Sequence, residues 1–125
     1  MMEDEDASTG PYTKVLLVCV YNKCSNIITH DMLYEIFAPW GVVMRILIFV
    51  KAKVWKAFVE MDTLDNSKNA ADKLNNTVIF HDGSKMMIYP SKLDQINFQN
   101  GNNGGVDYEE LRKMSPYIGK SLSEN

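Results

Sequence analysis

Cysteine is scarce in this chain of 125 residues: there are two, Cys19 and Cys24. Their spacing matches no zinc site, and no His or Cys stands beside them to complete one. No metal or cofactor is therefore expected, and both thiols read as free in a reducing intracellular compartment. Long apolar runs are lacking too, since none approaches the roughly 18 residues that a bilayer-spanning helix needs. No membrane partner is expected. The opening residues, Met1-Met-Glu-Asp-Glu-Asp6, are acidic and do not show the basic-then-apolar order of a secretory signal. Basic charge is also short: 13 Lys and Arg stand against 16 Asp and Glu, a net charge of −3. Taken alone, that balance argues against a nucleic-acid partner.

The distribution of charge reverses that argument. Residues 1–13 carry four acids and no base, whereas residues 14–99 carry ten Lys and Arg against eight Asp and Glu. The middle of the chain is mildly basic, and a stripe of bases on one face matters more to RNA than the total. With 46% hydrophobic residues the chain can bury one core in one domain. Residues 1–11 read as a disordered acidic tail, 12–99 as the domain, and 100–125 as a flexible tail. Within that last stretch, the capping-box spacing of Asp107 and Glu110 allows a short helix over 107–114.

Periodicity places the elements. Residues 14–21 are apolar, rich in β-branched types and too short for a helix, which predicts a central strand. Thr29 can cap a helix whose stripe is Met32, Leu33, Ile36 and Phe37, stopped by Pro39 and Gly41. Strands over 43–50 and 54–61 follow, joined by the short turn Lys51-Ala-Lys53. Asp62 or Thr63 caps a second helix that buries Ser67, Ala70, Ala71 and Leu74. Residues 78–80 are a short extended piece, and 85–89 a fourth main strand closed by Pro90. The order βαββαβ is that of the α+β, ferredoxin-like sandwich: a four-stranded antiparallel sheet with two helices on one face and the other face open. Residues 95–98 are expected to add a fifth strand at an edge.

Side-chain alternation sorts the two faces. In the third strand, Trp55, Ala57, Val59 and Met61 oppose Lys56, Phe58 and Glu60, and the more polar set should face away from the helices. The open face then carries Leu17, Cys19 and Tyr21, then Arg45, Leu47, Phe49 and Lys51, then Lys56 and Phe58, then Met87 and Tyr89, with Lys53 in the turn. Flat rings that stack bases beside cations that meet phosphates are what single-stranded RNA requires. Trp55 reads as core. Phe49 and Tyr89 serve either as ligands or as packing for the C-terminal extension.

Val54-Trp-Lys-Ala-Phe-Val-Glu-Met61 resembles the longer RNP motif of RNA recognition motifs, with Ala57-Phe58-Val59 at its centre. Val54, Trp55, Lys56 and Met61 depart from that pattern. The shorter RNP motif maps onto Val18–Asn22, with Cys19 where an aromatic usually stacks. This erosion is similar to the polypyrimidine tract-binding protein and heterogeneous nuclear ribonucleoprotein L family, most of all to their second motif. The likeness is carried by Ile28-Thr-His-Asp-Met-Leu-Tyr-Glu-Ile-Phe37, Gly41 to Lys51, Met87-Ile-Tyr-Pro-Ser-Lys-Leu93 with Asn97, and Asp107-Tyr108. The resemblance implies a fifth strand at Gln95–Phe98 beside the second, which brings Lys92 and Asn97 to the RNA surface. It implies pyrimidine-rich or CA-rich RNA, roles in splicing and mRNA regulation, and a monomer that is nuclear and shuttles to the cytoplasm. It also implies a co-regulator peptide on the helical face, docked at Phe80, a position equally suited to packing at the core edge.

Two rival functions are open to the same topology. Acylphosphatases need a phosphate-cradling loop with an Arg after the first strand. Asn22-Lys-Cys-Ser-Asn26 has neither Gly nor Arg, His30 and His81 lie far apart, and no nucleophile–base arrangement is visible. The chain therefore reads as no enzyme. A protein-interaction module with little RNA binding is the alternative that the missing aromatics and acidic tails favour.

Overall fold

The computed structural model describes residues 7–21, 27–51, 54–79, 83–98 and 104–114. Strand β1 (Val15–Tyr21) leads to helix α1 (His30–Phe37), strands β2 (Val43–Lys51) and β3 (Val54–Met61), and helix α2 (Leu64–Leu74). The short β4 (Thr77–Val78) and β5 (Lys85–Pro90) follow, then β6 (Gly105–Asp107) and helix α3 (Tyr108–Met114). The sheet runs β4-β5-β1-β3-β2-β6, and every pairing is antiparallel. The expected βαββαβ plan is present, with extensions at both edges.

Local chemistry accounts for the helices. Thr29 caps α1 by accepting the Met32 N–H at 3.2 Å, and Leu33 and Phe37 point into the core. Ala38-Pro-Trp40 then tightens into a single 3-10 turn that ends the helix. Thr63, not Asp62, caps α2, by accepting the Asn66 N–H at 3.1 Å. The buried stripe of α2 is Ser67, Ala70 and Ala71, small residues that let it lie close to the sheet. The core between helices and sheet gathers Leu16, Val18, Val20, Leu33, Phe37, Ile46, Val59 and Met61.

The chain after β5 departs from expectation. Residues 95–98 form no strand; the strand beside β2 is β6, with Arg45 opposite Asp107, Ile46 opposite Val106 and Leu47 opposite Gly105. Since β5 and β6 lie on opposite sides of β1, β3 and β2, residues 91–98 must cross the sheet, and the helices occupy its other face. Small hydroxyls turn the chain onto this path. Ser91 donates to the Val15 carbonyl at 2.9 Å, and Thr13 donates to the Leu93 carbonyl at 2.5 Å. Ile96, 2% exposed, donates its N–H to Glu60 Oε1 at 3.0 Å, which pins the crossing to β3. The Gly104-Gly105 pair then admits β6. A Cβ on Gly104, which has φ +79, would sit 2.6 Å from the Ile48 carbonyl oxygen, and one on Gly105 would collide with the Phe98 ring.

Described residues outside 12–99 also carry structure, α3 lying where the capping-box spacing allows a short helix. Residues 104–114 form β6 and α3, and at the other end Ala7 pairs with Ser91 while the Ser8 N–H reaches the Pro90 carbonyl at 2.8 Å. Helix α3 docks through Tyr108, whose ring lies 4.6 Å from that of Tyr34, and through Arg112, which donates to the Val43 carbonyl at 3.0 Å. The Tyr108 hydroxyl is buried and has no hydrogen-bond partner among the described residues. Burial first, then the nearby Asp31 and Tyr34, push its pKa from 10.0 up to about 12, against the opposing pull of Arg112. Stability from the protonated phenol is therefore complete below about pH 10 and lost as pH rises through about 12. Tyr108→Phe should remove that alkaline loss. It should also raise stability at neutral pH by about 1 kcal/mol, since a buried hydroxyl without a partner costs roughly 1–3 kcal/mol. Urea unfolding at neutral and alkaline pH would check both; a destabilised variant would mean that the hydroxyl has a partner.

Candidate nucleic-acid interface

The strand registers arrange the face away from the helices as cross-strand rows. One row reads Tyr89, Leu17, Phe58, Leu47 and Gly105 from β5 to β6. The next reads Met87, Cys19, Lys56 and Phe49. Beyond it, Tyr21 stands opposite Lys85. On the other side lies a row of Val15, Glu60, Arg45 and Asp107. The face assignment from alternation is correct: Lys56, Phe58 and Glu60 all lie opposite the helix-packed side.

Phe49 and Phe58 form the centre of this surface. They sit diagonally on adjacent strands, with ring centroids 5.4 Å apart and planes tilted by 32°. Both rings are half-buried, as are Leu47, Met87 and Tyr89, while Tyr21 is 48% exposed. The result is a shallow apolar surface, held from below and accessible above.

Three predicted contacts take other roles. Leu17 and Cys19 are 0% exposed, so neither reaches the surface. β1 is central, larger side chains flank it on both sides, and residues 91–98 cross near its start. Leu17 and Cys19 are thus the floor beneath Tyr89, Phe58 and Met87. Arg45 is the third correction. Its Nε donates to Asp107 Oδ2 at 3.1 Å, its Nη1 to Glu60 Oε2 at 2.9 Å, and its Nη2 to Glu109 Oε1 at 2.6 Å. Burial by itself would lower its pKa, but the hydrogen bonds and charges of Glu60 and Asp107 leave it raised. Three carboxylates around this guanidinium leave it no net positive charge to offer a phosphate. Arg45 therefore holds β6 and α3 to the sheet.

Lys56 is on the expected face but buried at 9% exposure between Cys19 and Phe49. Asn97 and Lys92 are exposed on the crossing segment. Lys51 ends β2, whereas Lys53 and Phe80 lie outside the described residues. Local patterning missed Phe98. It lies over Gly105, next to Leu47, and extends the row of Phe58 by one strand. The signal available for it was the Gly104-Gly105 pair, which reads as a linker until its partner ring is known.

Comparison with known proteins identifies the family. The family model described as RNA recognition motif (also RRM, RBD or RNP domain) matches residues 3–113. Human heterogeneous nuclear ribonucleoprotein L is 34% identical over 105 residues, which cover 84% of this chain and 17% of that protein. Polypyrimidine tract-binding protein homolog 3 of Arabidopsis thaliana is 24% identical over 108 residues, 86% of this chain and 25% of that protein. The chain thus spans a quarter or less of these relatives. Among solved structures, the Mip6 RRM3 domain superposes with a TM-score of 0.52 at 28% identity, covering 66% of this chain and all of that one. The C-terminal RRM domain of MEC-8 bound to AGCACA gives 0.53 at 18% identity, covering 66% of this chain and 96% of that one.

Proposed function

The chain belongs to the RNA recognition motif family, and from that premise we propose that it binds single-stranded RNA rich in pyrimidines or in CA across Phe58, Phe49, Tyr89, Met87 and Tyr21. It is a binding module of RNA processing, not an enzyme. The observation that carries the reading is the tilted Phe49–Phe58 pair, half-buried on the sheet face opposite α1 and α2. Two rings supply stacking for one or two bases, and stacking tolerates any base. Sequence preference then falls to strand-end and crossing-segment groups such as Asn97. Lys51, Lys53, Lys85 and Lys92 are assigned to phosphates at the margins. The resulting contact is modest, so neighbouring domains of a longer protein would add avidity. Pre-mRNA splicing or mRNA regulation in the nucleus is the setting that this reading implies.

Titration of the labelled protein with short CU-rich and CA-rich RNAs, followed by NMR, tests it; the AGCACA held by the MEC-8 domain is a natural first probe. The expected result is shifts at Phe49, Phe58, Met87 and Tyr89, with affinity that falls as salt rises. No shifts, or shifts confined to α1 and α2, would favour the protein-interaction reading instead. A co-regulator peptide on the helical face is a separate part of the proposal, assigned to Phe80.

A further inference from the structure

Helix α3 presents two large aliphatic side chains that nothing among the described residues covers: Leu111 is 50% exposed and Met114 is 74% exposed. With Ile96, Phe98 and Val106 they line an open cleft of about 740 Å³ between the crossing segment and α3. The cleft adjoins the β6 edge of the sheet, and neither Phe49 nor Phe58 lines it.

Its charge decides what it can hold. Arg45 is in the wall, and Glu60, Asp107 and Glu109 surround its guanidinium. Three carboxylates on one cation leave two negative charges in excess. Among the described residues, Glu110 at the mouth has a loose partner in Lys113, 4.0 Å away, with both side chains more than half exposed. Arg112 points elsewhere, to Tyr34 and to the Val43 carbonyl. RNA brings a phosphate with every nucleotide, and this wall would repel it. An apolar side chain flanked by cations is favoured twice, by burial among the aliphatics and by attraction to the carboxylates.

We propose that this cleft docks a short basic peptide of a partner protein, with one bulky apolar side chain seated among Ile96, Phe98, Leu111 and Met114 and with Lys or Arg beside it facing Glu109 and Glu110. The small area makes it a weak, transient contact. It meets the proposed RNA surface along the crossing segment, at Asn97 and Phe98.

The test uses the full chain with labelled Leu and Met methyl groups. The probes are the capped peptide Lys-Arg-Leu-Phe-Arg-Lys, the same peptide with Glu in place of every base, and a short CA-rich RNA. The basic peptide should move the Leu111 and Met114 methyls and the Asn97 amide while leaving the Phe58 and Tyr89 rings in place. The exposed substitutions Glu110→Lys and Met114→Lys should each weaken it at least roughly fivefold, about 1 kcal/mol. Equal binding of the acidic peptide would overturn the charge argument, and no methyl shift with either peptide would overturn the site. Methyl shifts caused by RNA alone would make the cleft part of the RNA surface. The Phe58 signal with RNA reports separately on the function proposed above.

Discussion

Arg45→Ala should cost the fold about 3 kcal/mol, more than any other single change to the polar groups described. Removing one partner of a buried ion pair costs roughly 3–5 kcal/mol, because the other is left buried and unpaired. Here the stranded partner is Glu60, with a side chain 6% exposed, its Oε2 vacated and only the Ile96 N–H still on Oε1. Asp107 and Glu109 lose the same cation, so three like charges face one another across the β2–β6 edge. The value sits at the lower end of the range because Glu109 is 34% exposed and water can reach it. With a typical urea slope of about 1.5 kcal/mol/M, the midpoint should fall by roughly 2 M. Amides of residues 105–107 should exchange faster than those of β1. Arg45→Lys should rescue little, since one ammonium cannot reproduce a planar fork that serves three carboxylates. An unchanged midpoint in Arg45→Ala would show the network to be ornamental. A folded Arg45→Ala protein with weakened RNA binding and a shallower salt dependence would return Arg45 to the phosphate-binding set.

Phe58→Ala should weaken binding to a short single-stranded RNA by roughly 10- to 100-fold. Stacking one base on an aromatic is worth roughly 1–3 kcal/mol, and every 1.4 kcal/mol is about tenfold. The substitution also removes one ring of the Phe49 pair, leaving the other without lateral support. Phe58→Leu separates the two contributions: it retains apolar bulk in the row between Leu17 and Leu47 but has no flat face to offer a base. Phe58→Leu should therefore remain folded and still lose most of the affinity. Phe80→Ala should leave RNA affinity unchanged. Isothermal titration at fixed salt would decide the matter, and full affinity in Phe58→Leu would contradict stacking at this position.

Much of this fold is legible from local pattern. β3 reads correctly end to end because Trp55, Ala57, Val59 and Met61 alternate with Lys56, Phe58 and Glu60. Thr29 and Thr63 mark helix starts because their hydroxyls can reach an N–H three residues on. The misreadings share a cause, which is distance along the chain. The acids that hold Arg45 stand 15, 62 and 64 residues away, so its neighbours in sequence could suggest only an unpaired cation on the open face. The covering of β1, by contrast, left a trace. Val15-Leu-Leu-Val-Cys-Val20 contains no polar residue, and a strand buried on both faces reads as an unbroken apolar run. That run already argued that Leu17 and Cys19 were not surface groups. The resemblance implies an edge strand at Gln95–Phe98, which reads as more extended than the glycine pair that follows. The strand lies instead at Gly105–Asp107, paired with β2, where Gly104 and Gly105 allow an approach that a Cβ would block.

The position of β6 also determines how this domain can be cut. Residues 105–107 cap the β2 side of the sheet through a pairing that reaches back some 60 residues. A shortened chain ending after β5 would retain every β-strand and α-helix of the βαββαβ plan but would bare the peptide groups of Arg45, Ile46 and Leu47. It would also lose Asp107 and Glu109, two of the three acids that hold Arg45. Bare edges of that kind recruit other chains. Such a fragment should be prone to self-association even where its core is intact, so a well-behaved minimal unit has to include β6 and Glu109.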